Sequence, residues 1–351
     1  MQIRSRAPLR IGLAGGGTDI PSYSDEFGGE VLNATITMYA YCTIIPTDDN
    51  MIFIDASDNH NTLLTPSVSR LELDGNNLIL HRGVYNRIVK DYNGGKPLSF
   101  KMYTNNDAPV GSGLGTSSTM VVAILKAFDS LLNLNLTKSQ LAHLAYDIER
   151  NDLKLAGGKQ DQYSAVYGGI NYTYFEKGGD VVVEKIELTP DKVSRFESSL
   201  LLYYSGKSRS SSKMQLELTK NIISRQIENV ENKSDKTIDA MQNLKCVARQ
   251  MRESLEKADT ESFAKNLRDG WEHKKRTSSI VSNAELEEII KTATLNGAEG
   301  VKVSGAGGGG FLLLYCNPSN RDKLINAMNS LGGKTYPVSF SFSGVESYIE
   351  Q

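Results

Sequence analysis

The feature that most constrains this 351-residue chain is a loop of three glycines and four hydroxyl residues at positions 109–118, with the sequence PVGSGLGTSS. The loop leads directly into a segment whose apolar residues, from Met120 to Leu132, recur at intervals of three and four, which predicts a helix. Glycines have no Cβ, so their N–H groups can approach a ligand closely, and the first turn of a helix leaves further N–H groups unpaired. The segment therefore predicts an anion-binding cradle at the start of a helix, with a plain capped turn as the alternative.

Two familiar phosphate motifs do not fit the sequence. A P-loop requires G-x-x-x-x-G-K-[ST], but the GK-[ST] triplet at Gly206 is preceded by Leu201 where the first glycine is needed. Residues 305–310, GAGGGG, satisfy G-x-G-x-x-G, yet the following FLLLYC is typical of a strand, whereas a dinucleotide fingerprint opens a helix. The chain is therefore predicted to be neither a P-loop NTPase nor a Rossmann enzyme.

Charge and cysteine content favour a small metabolite as the ligand. The chain has 39 Lys plus Arg against 41 Asp plus Glu, so the balance does not indicate nucleic acid or an anionic membrane as a partner. Cys42, Cys246 and Cys316 are far apart and show no C-x-x-C spacing, which predicts reduced thiols in a cytoplasmic protein. The sequence shows neither a signal-like apolar segment at its start nor a run of about 18 apolar residues, so we expect no export and no membrane span. It leaves the choice between a monomer and a homodimer open.

The order of the elements predicts two domains, 1–195 and 196–351. Strand-like runs dominate the first half, at residues 8–14, 38–46, 51–56 and 98–104. A second helix is predicted over 136–153, where Thr137 and Gln140 fit a capping box. Long polar helical segments follow from about residue 210 to 295. The remainder is predicted to hold two strands, a helix and a final strand, at 300–305, 311–316, 321–331 and 337–342.

The loop at 109–118 resembles the P-x-x-x-G-L-G-S-S phosphate-binding motif of the GHMP kinases (galactokinase, homoserine kinase, mevalonate kinase and phosphomevalonate kinase), with Thr116 where Ser is commoner. Two further family motifs occur in the family's order: APLR leading into GGGTD at 7–19, and KVSGAGGGG at 302–310. The resemblance covers nearly the whole chain. It implies an α+β fold, with a ribosomal-protein-S5-like N-terminal domain, a ferredoxin-like C-terminal domain, and ATP and a sugar bound between them.

The resemblance also implies roles for individual residues. Asp161 matches the catalytic aspartate, and Arg10 matches the basic residue held near it. Ser117 and Glu149 match the Mg²⁺ ligands, so ATP and Mg²⁺ are the expected cofactors. The matched loop implies that the nucleotide is bound by Pro109, Gly111, Ser112, Gly113, Leu114, Gly115, Thr116, Ser117 and Ser118. Without the resemblance, Glu149 could be a solvated carboxylate, Asp161 a helix cap and Arg10 part of a structural salt bridge.

The substrate is implied by the first motif. GGGTD lacks the Glu-His pair of galactokinase-like members and is similar to members acting on heptose 7-phosphate, which implies phosphorylation of a sugar phosphate at C1. The residues expected to bind this substrate are Gly16, Gly17, Thr18, Asp19, Gly307 and Gly308. The basic segment 205–213, SGKSRSSSK, predicts a second phosphate site at Lys207 and Arg209, with a solvated loop as the alternative. Three further functions stay open within the fold: a sugar-1-kinase for fucose or galactose, a non-catalytic sensor and a decarboxylase.

Overall fold

The computed structural model describes residues 1–73, 75, 78–207, 211–227 and 231–350. Within these ranges the chain forms twelve β-strands: β1 (Gln2–Ala14), β2 (Gly29–Pro46), β3 (Met51–Ala56), β4 (Asn61–Pro66), β5 (Phe100–Asn106), β6 (Ile170–Phe175), β7 (Val181–Ile186), β8 (Leu200–Tyr204), β9 (Ala298–Val303), β10 (Phe311–Cys316), β11 (Lys334–Pro337) and β12 (Glu346–Glu350). The same ranges contain eleven α-helices: α1 (Pro21–Phe27), α2 (Ile79–Tyr92), α3 (Thr116–Leu131), α4 (Lys138–Asp147), α5 (Gln160–Tyr167), α6 (Pro190–Ser199), α7 (Ser211–Ile227), α8 (Glu231–Lys257), α9 (Thr260–Lys275), α10 (Ala284–Leu295) and α11 (Arg321–Asn329).

The first sheet has eight strands in the order β12-β1-β2-β5-β3-β4, and β6 and β7 extend it from the other part of β2. Strands β3 and β5 pair in parallel, whereas β1 and β2 form a long antiparallel pair. Strands β1 and β2 are long and rich in apolar residues, and helices α2 to α5 bury one face of the sheet in a core that includes Phe100, Val121, Phe128 and Ile148. The register between β1 and β2 shifts between Pro8 and Arg10, and the extra residues lie on β2, between Thr35 and Tyr39.

The second sheet is antiparallel, with the order β11-β8-β10-β9. Helices α9, α10 and α11 contribute Trp271, Ile289 and Met328 to a core on one of its faces. Residues of its other face, such as Leu313, share a second core with Leu9 and other apolar residues of β1. The loop before α3 contacts the loop between β9 and β10.

The sequence predicted most of these elements. Helix α3, strands β9 and β10, and the Thr137–Gln140 capping box of α4 are confirmed. The predicted final strand at 337–342 is wrong, because β11 ends at Pro337, an isolated bridge between Phe340 and Ile36 is the pairing described after it, and the last strand is β12. Since β12 pairs with β1, the end of the chain returns to the first sheet. The division between residues 195 and 196 stays a prediction.

The helix predicted over 136–153 has a change of geometry near its end. Helix α4 ends at Asp147, and Ile148–Asp152 continue as a π-helical segment. Such segments insert an extra residue into a turn and are frequent at functional sites.

Among the described residues, the helices are too short or too polar for any of them to span a lipid bilayer.

Candidate active site

The glycine loop adopts a conformation that needs its glycines. The φ angles of Gly111, Gly113 and Gly115 are 76°, 87° and 78°, in the left-handed region that residues with a Cβ rarely adopt. Gly115 is the N-cap of α3 and has no side chain to occupy the N–H groups of the first helical turn. The loop and the start of the helix therefore have backbone donors that could bind an anion.

The loop packs backbone to backbone against the second glycine-rich segment, 305–310. The N–H of Phe311 donates to the carbonyl of Ser112 at 2.9 Å. A Cβ on Gly113 would lie 2.5 Å from the carbonyl oxygen of Ser304, and one on Gly305 would lie 2.9 Å from the Cα of Gly113. Each segment therefore needs glycine at this position because the backbone of the other segment lies so close. Neither segment indicates this requirement by itself.

Arg10 and Asp161 form a largely buried ion pair beside this loop. The Nε and Nη2 atoms of Arg10 lie 2.8 and 2.6 Å from Oδ1 of Asp161, and Nη1 donates to the carbonyl of Gly113 at 2.7 Å. Arg10 lies on β1 next to the register shift with β2, and Asp161 lies in the first turn of α5. Arg10 thus ties the position of Asp161 to the backbone of the glycine loop.

Glu149 is buried near the start of the π-helical segment, so its carboxylate is not exposed to solvent. Its carboxylate accepts hydrogen bonds from Ser118 Oγ at 3.0 Å and from Gln162 Nε2 at 2.5 Å. Burial raises the pKa of Glu149, while neighbouring Arg150 lowers it. Ser118 is thus the loop serine that contacts Glu149, and Ser117, which the family motif matches to the metal, is half-buried beside it.

The GGGTD loop holds a second buried carboxylate. Thr18 fixes the loop, because its hydroxyl donates to the carbonyl of Glu30 at 2.9 Å and accepts from the N–H of Glu30 at 3.0 Å. Asp19 accepts hydrogen bonds from the N–H of Gly17 at 3.0 Å and from the Nε2 and backbone N–H of Gln160 at 2.8 and 3.1 Å. Burial raises the pKa of Asp19. Gln160 immediately precedes Asp161, so it sets the spacing between the two carboxylates.

Two partly buried lysines lie beside the first motif, and the sequence did not single them out as cations. Lys274 of α9 donates to the carbonyl of Gly16 at 3.0 Å, and burial lowers its pKa to about 8 while Asp19 opposes that shift. Lys302 of β9 donates to the carbonyl of Gly12 at 2.7 Å, and burial together with Lys274 and Arg10 lowers its pKa to about 7. The side-chain nitrogens of both lysines therefore lie beside the first motif.

Three neighbouring cavities lie in this region and share lining residues. Each is named after the residues that line it. The apolar cavity is lined mainly by Leu78, Ile79, Val110, Met120 and Leu155. The loop cavity is lined by the glycine loop, Glu149, Arg150 and Asp161, and it shares Val110, Ser117 and Leu155 with the apolar cavity. The motifs in the sequence gave no sign of the apolar cavity, since its residues come from separate elements.

The carboxylate cavity is lined by Asp19, Gln160, Lys274 and residues of α7 such as Met214. It shares Arg10, Asp161, Gln215, Gly305 and Ala306 with the loop cavity. The Arg10–Asp161 pair therefore stands where the two cavities meet, so groups bound in each would face each other across this pair.

The remaining predicted residues lie elsewhere. Lys207 is exposed and pairs with Glu285 at 2.6 Å, and it does not line the three cavities as described. Arg209 lies outside the described residues. Gly307 and Gly308 pack against Val281, whose carbonyl accepts the N–H of Gly308 at 2.8 Å. The part of this segment that lines both cavities is Gly305–Ala306.

An Arg–Asp pair between an anion cradle and a polar cavity is an arrangement suited to phosphoryl transfer onto a small molecule. Residues 77–169 match the model of the GHMP kinases N terminal domain, and residues 251–334 match that of the GHMP kinases C terminal. The chain belongs to the GHMP kinase family and is a small-molecule kinase with that family's fold. The α+β fold predicted from the three motifs is confirmed.

Individual proteins and solved structures are similar to this chain over nearly its whole length. The D-glycero-alpha-D-manno-heptose 7-phosphate kinase of Campylobacter jejuni is 41% identical over 99% of this chain and 98% of its own length. The crystal structure of a D-glycero-D-manno-heptose 1-phosphate kinase from Bacteroides thetaiotaomicron is 41% identical, with a TM-score of 0.84 and 99% of both chains covered. Galactokinase of Lactococcus lactis, with a TM-score of 0.77 over 98% of this chain and 95% of its own but 16% identity, shares the fold.

Proposed function

We propose that this kinase transfers the γ-phosphoryl group of ATP to the C1 hydroxyl of D-glycero-D-manno-heptose 7-phosphate, giving the 1,7-bisphosphate for nucleotide-heptose synthesis. The identity to the heptose 7-phosphate kinase of Campylobacter jejuni, 41% over nearly both whole chains, supports this substrate. The observation that carries the proposal is the place of Asp161, in the wall shared by the loop cavity and the carboxylate cavity.

ATP fits the first two cavities. The apolar cavity offers Ile79, Val110 and Met120 to a flat base, and it shares Val110, Ser117 and Leu155 with the loop cavity. The glycine loop then offers its N–H groups and the first turn of α3 to the phosphates. In this proposal the γ-phosphate lies on the side of the loop cavity lined by Asp161.

The acceptor fits the carboxylate cavity. Asp19 accepts two hydrogen bonds on Oδ1 and one on Oδ2, which leaves acceptor capacity on Oδ2 for a sugar hydroxyl. Lys274 uses one of its three N–H donors on Gly16, so two remain for an anionic group. A sugar that already carries a phosphate would match this cation. Lys207 and Arg209 stay the prediction made from the sequence for that phosphate.

The reaction follows from the position of Asp161. An oxygen of the acceptor forms a bond to the γ-phosphorus, and the bond from that phosphorus to the bridging oxygen of ADP breaks. The acceptor's hydroxyl proton passes to Oδ2 of Asp161, because Arg10 contacts Oδ1. Arg10 keeps the carboxylate in place through its second contact, with Gly113.

The residues expected to hold Mg²⁺ are Ser117 and Glu149. Both line the loop cavity, and a hydroxyl with a carboxylate is the oxygen donor set that Mg²⁺ accepts beside phosphates and water. When bound, the ion would neutralise charge on the β- and γ-phosphates. Ser118 and Gln162 would orient the carboxylate of Glu149 through the hydrogen bonds described above.

The decisive experiment is to measure ADP release across a panel of free and phosphorylated heptoses, fucose and galactose. The phosphorus and anomeric-proton NMR spectra of the product would then identify the position phosphorylated. We expect the highest kcat/KM for the heptose 7-phosphate and a product phosphorylated at C1. A preference for an unphosphorylated sugar would favour the sugar-1-kinase alternative, and no turnover with any sugar would favour a non-catalytic sensor.

A further inference from the structure

The transfer of a phosphoryl group needs positive charge on its oxygens, and Arg10 is already engaged elsewhere. Its Nε and Nη2 atoms contact Asp161, and its Nη1 contacts the carbonyl of Gly113, all within 2.8 Å. These contacts position the carboxylate that accepts the proton. They leave Arg10 few donors for the phosphoryl oxygens, so a second cationic side chain in the loop cavity would add to the loop N–H groups and the metal ion there.

Arg150, unlike Arg10, makes no short hydrogen bonds with the described residues. Its side chain lines the loop cavity, yet it is only 12% exposed. It donates to the carbonyls of Leu155 and Gly158 at 3.4 Å each, and Nη1 lies 3.7 Å from Glu149. Its Nε has no hydrogen-bond partner among the described residues. A largely buried guanidinium with only long contacts is unfavourable unless an anion completes its shell.

The chain around Arg150 is shaped to hold the guanidinium in this place. The residue follows Glu149 in the π-helical segment, whose extra residue changes the direction of the side chains that follow it. A Cβ on Gly157 would collide with Cζ and Nη2 of Arg150. The glycine at position 157 therefore makes the room in which the guanidinium lies against the backbone of the 155–158 loop.

We propose that Arg150 binds the γ-phosphoryl group of ATP and stabilises the charge on its non-bridging oxygens during transfer. This proposal rests on the kinase function proposed above. As the acceptor oxygen bonds to phosphorus and the bond to ADP breaks, Arg150 keeps its proton and donates N–H groups to the non-bridging oxygens. A planar guanidinium with unused donors suits two oxygens of one phosphoryl group.

Arg150→Gln and Lys154→Gln form a matched pair for the test. Each removes one positive charge from the same stretch of chain, but Lys154 is exposed and does not line the described cavities. We expect Arg150→Gln to lower kcat on the order of 10²-fold or more, as for a lost charge-stabilising donor, and Lys154→Gln to change it by less than about 3-fold. An unchanged kcat in folded Arg150→Gln would overturn the proposal.

A binding measurement separates this role from a structural one, because Arg150 also holds the 155–158 loop. The affinities for Mg·ADP and for Mg·ADP with aluminium fluoride, which imitates the phosphoryl group in flight, are compared by calorimetry. We expect Arg150→Gln to weaken binding of the fluoride complex on the order of 10²-fold and Mg·ADP by less than about 5-fold. Equal losses for both ligands would overturn the proposal. Gly157→Ala, which displaces the guanidinium and keeps its charge, should show the same selective loss.

The test is independent of the acceptor's identity. The fluoride complex contains no sugar, so its binding to Arg150→Gln reports on the phosphoryl site alone. If the wild-type protein prefers a different sugar, the substrate proposal fails while the selective loss in Arg150→Gln remains. If the loss is not selective, the Arg150 proposal fails while the substrate proposal remains.

Discussion

Arg10 and Asp161 are joined through one carboxylate oxygen, since Nε and Nη2 of Arg10 lie 2.8 and 2.6 Å from the same Oδ1. The Oδ2 atom of Asp161 accepts no hydrogen bond from the part of the chain that the structure describes, and the side chain is 21% exposed. One oxygen is therefore held by the fold while the other faces the shared wall of the two cavities. This asymmetry suits a carboxylate that receives a proton without changing its position.

Asp161→Asn tests this role. The amide keeps the shape of the side chain but cannot accept the proton, so we expect kcat to fall on the order of 10²–10⁴-fold while ATP and sugar still bind. Steady-state kinetics and calorimetric titration of each ligand provide the measurement. Near-normal kcat in the folded variant would show that Asp161 orients the substrate and is not the base.

Glu149→Gln tests the metal site. Removing the carboxylate's charge should raise the Mg²⁺ concentration that gives half-maximal activity, because Mg²⁺ prefers charged oxygen ligands. Burial raises the pKa of Glu149, and only its ionised form binds the ion. The Mg²⁺ requirement of the wild type should therefore fall as pH rises through that raised pKa, whereas the requirement of Glu149→Gln should not follow this trend.

The two loop serines provide the control for the metal assignment. Ser117→Ala should raise the Mg²⁺ requirement, since it removes a ligand. Ser118→Ala should act more weakly, because the hydroxyl of Ser118 contacts Glu149 and would orient it without binding the ion. A Mg²⁺ titration of Ser117→Ala that overlays the wild type would show that Ser117 is not a ligand, and a larger effect of Ser118→Ala would exchange the two roles.

The local features of this site could be predicted from the sequence. The glycine loop, the helix after it and the two strands around residues 305–310 are encoded by residues close together in the chain, so periodicity and motif spacing reveal them. The roles of Asp161 and Glu149 came from the family resemblance. From position alone, Glu149 would have been interpreted as a solvated carboxylate, yet it is buried.

The features that depend on tertiary packing could not be predicted. Lys274 belongs to a polar helix with many charged residues, and only the packing of α9 against the GGGTD loop distinguishes it from its neighbours. The close approach of Gly113 to Ser304 joins segments nearly two hundred residues apart, so neither glycine run indicates the other. The extra residue of the π-helical segment likewise changes the direction of Arg150 without a signal in the hydrophobic pattern.

Lys274→Met tests the cation of the acceptor cavity. If Lys274 binds the phosphate of the acceptor, the variant should raise KM for heptose 7-phosphate on the order of 10–100-fold, as expected for a lost charge-assisted contact. KM for ATP and for an unphosphorylated heptose should change little. Lys207→Met is the matched control, because Lys207 is exposed and paired with Glu285. A selective loss in Lys207→Met with none in Lys274→Met would favour the site at 205–213.

Lys274→Met should also change the stability of the protein, by an amount that depends on pH. The folded pKa of Lys274 is about 8, below the value of about 10.4 for an unfolded lysine, and Asp19 and Lys302 are its charged neighbours. Below about pH 8 both states are protonated and the cost of burying the charge is fully present. Between the two values the unfolded state binds more protons, so stability rises with pH.

Lys274→Met should therefore increase the free energy of unfolding by about 1–3 kcal/mol at neutral pH, and the gain should decline towards about pH 10. Urea denaturation at several pH values would measure it, and a gain independent of pH would contradict it.

Gly113→Ala tests whether the two glycine segments must touch. The new Cβ would lie 2.5 Å from the carbonyl oxygen of Ser304, and the φ of 87° is strained for alanine as well. Gly178→Ala is the matched control, because Gly178 has a φ of 91° but no atom within 4 Å of its Cβ position among the described residues. Left-handed strain alone costs about 1–2 kcal/mol, so we expect that loss of unfolding free energy for Gly178→Ala and about 2–4 kcal/mol for Gly113→Ala. Only Gly113→Ala should also raise KM for ATP, by about 10-fold or more, since a displaced loop no longer aims its N–H groups at the phosphates. Equal losses of stability in urea denaturation would mean that the two segments can separate at little cost, and an unchanged KM would mean that the cradle does not depend on their contact.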